Sequence, residues 1–323
     1  MWLGEYVVLD GVPAIVAAVD RHAQCRITSH EDPQDHSLVV STSLHPDTWR
    51  LRGRNGEIHA PDHPVFDLIH TVQQHLAAQH IALPTRGAHL HFDSSALSED
   101  TKLGLGSSAA IAALSAVALS KEDHWQPQDT VKLHALTHHA HHAFQGGVGS
   151  GSDVAAACIG GILRMHKGHA PQPIDAPHIY PLILATGVAA NTADFVRSVQ
   201  AQKPKESVKQ ALTDMKQATL RGLHALETTH ADAFLDAVKH FHRAEVQLTK
   251  ASNVPVVTDE IAHIVESMET YGGAAKASGA GGGDIVIAFF ADADQRAHAA
   301  AQAGHRGLRV LALNVESRGV LAS

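Results

Sequence analysis

Three short glycine-rich segments in this chain also carry serine, and their sequences are GLGSSAA, GSGSDVAAA and ASGAGGGD. Glycine lets a backbone approach a ligand closely, and a glycine loop that leads into a helix offers free N–H groups to an anion. The first segment, residues 104–110, precedes an alanine-rich helical pattern. It therefore predicts a phosphate cradle, in which Ser107 and Ser108 either ligate Mg²⁺ or bind a phosphate oxygen. Lys102, two residues before the segment, adds a mobile positive charge.

Two known nucleotide-binding motifs fit the first segment less well. The pattern Gly104-x-Gly106-x-x-Ala109 matches the loose dinucleotide fingerprint, but a helical pattern follows it and the sequence offers no acid at the end of a following strand. A Walker A loop is excluded, because the sequence has no G-x-x-x-x-G-K-[ST]. A simple tight turn would account for one such loop, yet it accounts less well for three loops that all carry serine.

Asp153 is the carboxylate of most interest, because it follows the second glycine loop and begins a helical run. Aspartate is among the best helix N-caps, so one role for Asp153 is purely structural. The functional role would be a carboxylate that faces the reaction centre, where it orients an acceptor or holds a metal. The residues alone leave both roles open.

Histidine is unusually abundant, with 27 residues, and it is concentrated in the segment HALTHHAHHAF. His134, His138 and His142 have the i, i+4 spacing that places side chains on one helix face. The glutamate of an H-E-x-x-H metal motif is absent from this segment. The sequence therefore favours a solvated, half-polar helix face over a metal site.

The composition limits the class of protein. A net charge of −8 argues against a general nucleic-acid binder, and two cysteines without metal spacing fit a reducing compartment. The first residues lack the pattern of a signal peptide, and the chain has no apolar run of about 18 residues that would span a membrane. We expect a soluble cytoplasmic protein that binds neither nucleic acid nor membrane.

The periodicity predicts an α+β fold with two parts. Helical spacing is predicted for residues 64–80, for the runs after Gly106 and for a long stretch from about Asp194 to Lys250. The segment 166–178, rich in Pro, Gly and Asp, is the best candidate linker. Strands are predicted at the segments EYVVLDG, PAIVAAVD, SLVVSTSL, AHLHFDS, YPLILATG, IVIAFF and LRVLALNV.

Three segments together resemble the motifs of the GHMP small-molecule kinases, in the same order and across nearly the whole chain. They read LGEYVVLDGVPAIVAAVD, KLGLGSSAA and KASGAGGGDIVIA. Within that family, QGGVGSGSDVAAACIGG, TGVAANTADFVRSV and SGAGGGD are most similar to the phosphomevalonate kinase branch. Diphosphomevalonate decarboxylases are disfavoured, because this chain has Ser278 in the region where they carry a catalytic aspartate.

The resemblance implies a two-domain GHMP kinase fold, with an N-terminal ATP-binding α+β domain at 1–176 and a C-terminal ferredoxin-like α+β domain at 177–323. It implies ATP and Mg²⁺, with Lys102 and Asp153 as catalytic residues and Ser107 also near the metal. The implied cofactor-binding residues are Leu103, Gly104, Leu105, Gly106, Ser107, Ser108 and Ala109. The implied substrate-binding residues are Glu5, Tyr6, Ser150, Gly151, Ser152, Ser278, Gly279, Ala280 and Arg197.

The implied activity is ATP-dependent phosphorylation of 5-phosphomevalonate to 5-diphosphomevalonate, by a chain that either acts alone or forms a homodimer. The alternatives are a mevalonate kinase or another family kinase that acts on a hydroxyl, and a silent member that only binds nucleotide. Family members carry a Pro-Gly-Lys strand before Gly-Glu-Tyr, whose lysine has no counterpart after Met1. Either the start lies upstream, or the chain is shortened, or Lys102 or Lys276 replaces that lysine.

Overall fold

The computed structural model describes residues 1–32, 34–52, 60–97, 104–121, 124–147, 149–188 and 192–320. The chain divides into two compact units. Unit 1 contains residues 1–20, 100–104 and 161–316, and unit 2 contains residues 21–99, 105–160 and 317–323. Each unit combines helices with β-sheet, as the predicted α+β class requires.

The described residues of unit 2 form a four-stranded sheet and four α-helices. The sheet has the order β2-β5-β3-β4, in which β3 and β5 are parallel and the other two pairs are antiparallel. Its strands are β2 (Gln24–Ser29), β3 (Leu38–Thr42), β4 (His45–Arg52) and β5 (Ala88–Asp93). Its helices are α1 (Pro64–Ala78), α2 (Ser107–Ala118), α3 (Thr130–Phe144) and α4 (Ser152–Ile159).

The core of unit 2 is apolar because alternate strand residues and one face of each helix point inward. In β5, Leu90 and Phe92 are fully buried, and they pack with Phe66 and Ile69 of α1 in one cluster. Helix α3 is in contact with α1, α2 and α4. These neighbours surround α3 on several sides, which matters for its histidines.

Unit 1 contains two antiparallel sheets. A three-stranded sheet has the order β1-β6-β7, with strands β1 (Ala14–Ala17), β6 (Ile162–Met165) and β7 (Gln172–Pro173). A four-stranded sheet has the order β11-β8-β10-β9. Its strands are β8 (Tyr180–Ala185), β9 (Ala274–Ser278), β10 (Ile285–Phe290) and β11 (Arg309–Leu311). All six residues of β10 are buried, which explains its continuous apolar sequence.

The helices of unit 1 are α5 (Thr192–Gln202), α6 (Glu206–Glu227), α7 (Ala231–Ser252), α8 (Asp259–Glu269) and α9 (Ala293–His305). The single long helical stretch predicted from Asp194 to Lys250 is therefore wrong, because it is three helices. Pro204 disfavours a helical conformation in the residue before it, and Thr229 has a positive φ of 57° between α6 and α7. No described helix is long and apolar enough to cross a membrane.

Two further predictions about the elements are corrected. The segment EYVVLDG is a short 3₁₀ helix at Val7–Asp10 rather than a strand, and Tyr6 before it has a positive φ of 63°. The segment 166–178 lies inside unit 1, where β7 pairs with β6, so it does not link the two units. The boundary between 176 and 177 stays a prediction about the family domains, since the two units do not follow a single cut.

Candidate active site

Helix α2 begins with the predicted phosphate-binding geometry. Gly106 is its N-cap and has a left-handed φ of 77°, which glycine adopts without steric cost. The first intrahelical hydrogen bond is donated by Ala110 N–H to the carbonyl of Gly106, at 3.0 Å. The N–H groups of Ser107, Ser108 and Ala109 therefore have no intrahelical acceptor. Such groups at a helix N-terminus favour the binding of an anion. The helix start is confirmed, while phosphate binding there stays a prediction.

Helix α4 begins in the same way. Its N-cap is Gly151, with a left-handed φ of 71°, and Ala155 N–H donates to the carbonyl of Gly151 at 3.0 Å. Asp153 is thus the second residue of the helix, and the alternative that Asp153 is the N-cap is wrong. The hydroxyls of Ser150 and Ser152 are 2.9 Å apart and hydrogen bond to each other.

The two helix starts are close together. A Cβ atom added to Gly106 would lie 3.4 Å from the Cβ of Asp153, and α2 and α4 are in contact. The structure therefore brings together two of the predicted site residues, because the Cβ of Asp153 lies beside the N-cap of α2. Asp153 is in the first turn of α4, where the positive end of that helix's dipole favours a carboxylate.

The histidines of α3 are not on a solvated face, which corrects the sequence interpretation. His134 is buried, His138 and His142 are half-buried, and the rings of His134 and His138 stack with centroids 5.8 Å apart. Burial lowers the pKa of His134 to about 4, with smaller contributions from His138 and His139. Among the described residues, no group of three or more His, Cys, Asp or Glu is placed to hold a metal ion.

The fourth histidine of this group, His141, was not singled out from the sequence. Its side chain is 1% exposed, and its Nε2 lies 3.0 Å from the Oγ of Ser108. Burial lowers the pKa of His141, while the nearby carboxylate of Asp153 raises it and His142 lowers it further. His138 packs against the start of α4, since a Cβ added to Gly151 would lie 2.1 Å from its Nδ1.

The third glycine loop, in unit 1, connects β9 and β10. A Cβ atom added to Gly281 would lie 2.2 Å from the carbonyl oxygen of Val256, and one added to Gly282 would lie 2.2 Å from the ring of Phe195. Both positions also have positive φ. These glycines are thus required by packing within the protein.

The predicted substrate residues Glu5 and Tyr6 are buried, and they hold this third loop in place. Tyr6 donates a hydrogen bond to the carbonyl of Ala280, and burial raises its pKa. Gly279 N–H donates to Glu5 Oε1 at 3.3 Å, and Ser278 Oγ donates to the carbonyl of Met1 at 3.2 Å. These contacts are what the structure describes, and binding of substrate by these residues stays a prediction.

A buried lysine on β9 also binds Glu5, which holds the third glycine loop. Lys276 on β9 is fully buried and donates to Glu5 Oε1 at 2.5 Å, while its Nζ lies 3.9 Å from Glu245 on α7. Burial raises the pKa of Glu245, and the opposing effects of Lys276 and of His242 lower it. Lys276 is thus paired with Glu5 and close to Glu245 inside unit 1, and whether it replaces the lysine of the Pro-Gly-Lys strand stays a prediction.

The remaining predicted residues lie in separate environments. Gly104, in unit 1, has a positive φ of 66°, and a Cβ added to it would lie 2.7 Å from Asp284 Oδ2. Arg197 on α5 has a side chain that is 63% exposed and pairs with Asp194 at 2.5 Å. Lys102 and Leu103 lie outside the described residues, and Leu105 precedes the N-cap of α2.

Two family models match the chain at the regions that hold these loops. The model "GHMP kinases N terminal domain" matches residues 67–161, and the model "GHMP kinases C terminal" matches residues 223–307. Both matches agree with the motif order found in the sequence. The chain therefore belongs to the GHMP kinase family, which indicates an ATP-dependent small-molecule kinase.

The chain is also similar to individual members of one branch of the family, the phosphomevalonate kinases. The chain is 28% identical over 332 residues to a phosphomevalonate kinase from Streptomyces sp. (strain CL190), covering 88% of this chain and 86% of the relative. It is 22% identical over 301 residues to a phosphomevalonate kinase from Saccharolobus solfataricus, covering 90% and 87%. A solved structure of Streptococcus pneumoniae phosphomevalonate kinase in complex with phosphomevalonate and AMPPNP matches with a TM-score of 0.77 and 20% identity. That match covers 97% of this chain and 96% of the other, and it establishes the two-domain fold.

Proposed function

We propose that this kinase transfers the γ-phosphoryl group of ATP to the phosphate of 5-phosphomevalonate. The observation that carries the proposal is the start of α2, where the N–H groups of Ser107, Ser108 and Ala109 have no intrahelical acceptor and the Cβ of Asp153 lies next to the N-cap Gly106. Phosphoryl transfer depends mainly on positioning and charge neutralisation. An anion cradle serves this directly, and a nearby carboxylate serves it by holding a metal ion or orienting the acceptor. The named activity of the two relatives supports the choice of acceptor.

In this proposal the glycine loop from Gly104 to Ala109 binds the triphosphate through backbone N–H groups and the helix dipole. Lys102 lies just before the loop in sequence and neutralises charge as the two anionic groups approach. Magnesium is usually held by one or two protein oxygens together with substrate phosphates, rather than by a full protein cage. The hydroxyl of Ser107 and the carboxylate of Asp153 fit that donor set.

The acceptor determines what Asp153 must do. A phosphate monoester has a second pKa of about 6 and is already largely dianionic at neutral pH. An oxygen of the phosphomevalonate phosphate forms the new bond to the γ-phosphorus, and the bond to the bridging oxygen of ADP breaks with its electron pair. No proton has to be removed, so Asp153 orients the acceptor or holds metal. A hydroxyl acceptor would instead need Asp153 as a general base.

The decisive experiment measures ADP release by the purified chain with ATP and Mg²⁺, with phosphomevalonate or mevalonate as acceptor. We expect turnover with phosphomevalonate alone. In Asp153→Asn we expect reduced turnover that is not abolished, because the acceptor is already ionised. Asp67→Asn, on an exposed part of α1, is the matched control.

The alternative outcomes are equally informative. Turnover with mevalonate alone, together with complete loss of activity in a folded Asp153→Asn variant, would establish a mevalonate kinase. Nucleotide binding without turnover on either acceptor would indicate a silent family member or a different acceptor. A version of the chain that is extended upstream with Pro-Gly-Lys tests whether that strand is needed. We also propose that activity requires Mg²⁺ and that the protein is cytoplasmic. The chain acts either alone or as a homodimer.

A further inference from the structure

The buried His141 contacts the start of α2. It lies on α3, its ring is almost completely buried, and its Nε2 is 3.0 Å from Ser108 Oγ in the first turn of α2. The carboxylate of Asp153, in the first turn of α4, is close enough to influence its protonation. A polar side chain that is buried at a helix start costs free energy unless it is hydrogen bonded, and the Ser108 hydroxyl is the partner that His141 has there.

Ser108 cannot satisfy its hydroxyl in the way that serines inside a helix usually do. A serine in the helix interior donates to the carbonyl four residues earlier, as Ser115 does to Ile111 at 2.7 Å. Ser108 is the second residue of α2, so the corresponding carbonyl lies before the helix. His141 is the partner that the structure describes for this hydroxyl.

The direction of the hydrogen bond follows from the ligand. A phosphate oxygen accepts hydrogen bonds, so a serine that binds phosphate must donate its O–H to it. The Ser108 oxygen then has to accept its second hydrogen bond from a neighbour. An imidazole with its proton on Nε2 donates in that direction, and a donor chain of this kind polarises and strengthens the last hydrogen bond.

We propose that His141 is a positioning residue for nucleotide binding, whose Nε2–H donates to Ser108 Oγ and directs the Ser108 hydroxyl to a phosphate oxygen of ATP. This inference rests on the proposed function, since it assigns that loop to the triphosphate. It adds a residue that lies 33 positions away in the sequence and belongs to none of the three glycine motifs. The role is indirect, because His141 acts through Ser108.

The test measures MgATP binding by calorimetry in the full chain, without acceptor, for His141→Leu, His141→Gln, Ser108→Ala and the double variant Ser108→Ala/His141→Leu. We expect His141→Leu and Ser108→Ala each to weaken MgATP binding by about tenfold, the effect of losing a hydrogen bond to a charged group. The double variant should bind no worse than either single variant. His141→Gln should bind nearly as well as the wild type, because its amide N–H₂ can donate from a similar position.

His139→Leu is the matched control, since His139 lies on the same helix and is exposed. Additive losses in the double variant, unchanged MgATP affinity in His141→Leu, or no rescue by His141→Gln would each overturn the proposal. If His141→Leu fails to fold, His141→Phe, which keeps a ring at this position but has no donor, takes its place in the cycle. Because no acceptor is present, a chain that does not phosphorylate phosphomevalonate can still support or contradict this inference.

Discussion

The glycine-rich starts of α2 and α4 in unit 2 differ from the glycine loop between β9 and β10 in unit 1, although their sequences are alike. At Gly106 and Gly151 the glycine forms an N-cap that leaves the first backbone N–H groups of a helix without an intrahelical acceptor. At Gly281 and Gly282 the missing side chain makes room for Val256 and Phe195. The first kind of glycine leaves backbone donors for the proposed ligand, and the second kind lets the protein pack against itself.

The charged residues near the two regions also differ in whether they are paired with other protein groups. In unit 1, Lys276 and Glu5 are buried and bind each other, and Glu5 also accepts the N–H of Gly279. In unit 2, Asp153 lies beside a helix start whose N–H groups are free, and the ring of His141 hydrogen bonds to Ser108. The motif in unit 1 is therefore held mainly by protein groups, whereas the motifs in unit 2 offer groups to a ligand.

The strongest test of this difference is Lys276→Met. Removing the lysine leaves Glu5 and Glu245 buried without their cation, and breaking a buried pair costs about 3–5 kcal/mol. We expect the free energy of unfolding, measured with urea, to fall by that amount. This is a large part of the roughly 5–15 kcal/mol typical of a folded protein.

Lys250→Met, at an exposed position on α7, is the control and should change the free energy of unfolding little. The double variant Glu5→Gln/Lys276→Met should recover part of the loss, because it removes one of the two stranded charges. If Lys276→Met folded with unchanged stability and lost only substrate affinity, the third loop would be a binding site of the same kind as the other two.

The sequence predicted the local features of both regions well. The start of α2 after Gly106, the start of α4 after Gly151 and the apolar strand β10 all depend on neighbouring residues, and all three are confirmed. The class of the fold followed from the same local patterns, and the family followed from the order of the motifs.

The long-range contacts around the candidate site could not be predicted, because they join residues far apart in the sequence. Lys276 and Glu5 are 271 residues apart, and His141 and Ser108 are 33 apart, with no local pattern that pairs them. The solvated face predicted for the α3 histidines was wrong for a similar reason. Helical spacing shows which residues share a face, but the packing of α1, α2 and α4 around α3 decides which face is covered.

The free energy of unfolding should also depend on pH differently through the two regions, by a smaller amount than the Lys276→Met effect. The pKa of His134 is about 4 in the folded chain and about 6.5 when exposed, so the unfolded chain binds more protons between these values. The stabilisation from keeping His134 neutral is complete above pH 6.5 and is lost as the pH falls towards 4. Lowering the pH from about 6.5 to about 5 should cost about 2 kcal/mol through this residue alone.

The free energy of unfolding of His134→Leu and of the wild type, measured with urea at about pH 7 and about pH 5, checks this. The variant should lose about 2 kcal/mol less on acidification than the wild type or the exposed control His139→Leu. The pH dependence from Glu245 in unit 1 has the opposite sign, because burial raises the pKa of Glu245. Its contribution to the free energy of unfolding is present at low pH and is lost as the pH rises through the raised pKa. An equal pH response in His134→Leu and the wild type would show that His134 does not carry the acid sensitivity.

The smallest expected effect concerns Arg197, which the sequence placed at the acceptor but which lies exposed on α5, paired with Asp194. An exposed pair on one helix face contributes little, so Arg197→Ala should change the free energy of unfolding by less than about 0.5 kcal/mol. If Arg197 binds the acceptor phosphate, the KM for phosphomevalonate should rise while the KM for ATP stays the same. Arg221→Ala, at an exposed position on α6, is the control. Equal kinetics in the two variants would make Arg197 a solvated helix residue, and Lys102 would then be the predicted cation left to offset the charge of the acceptor.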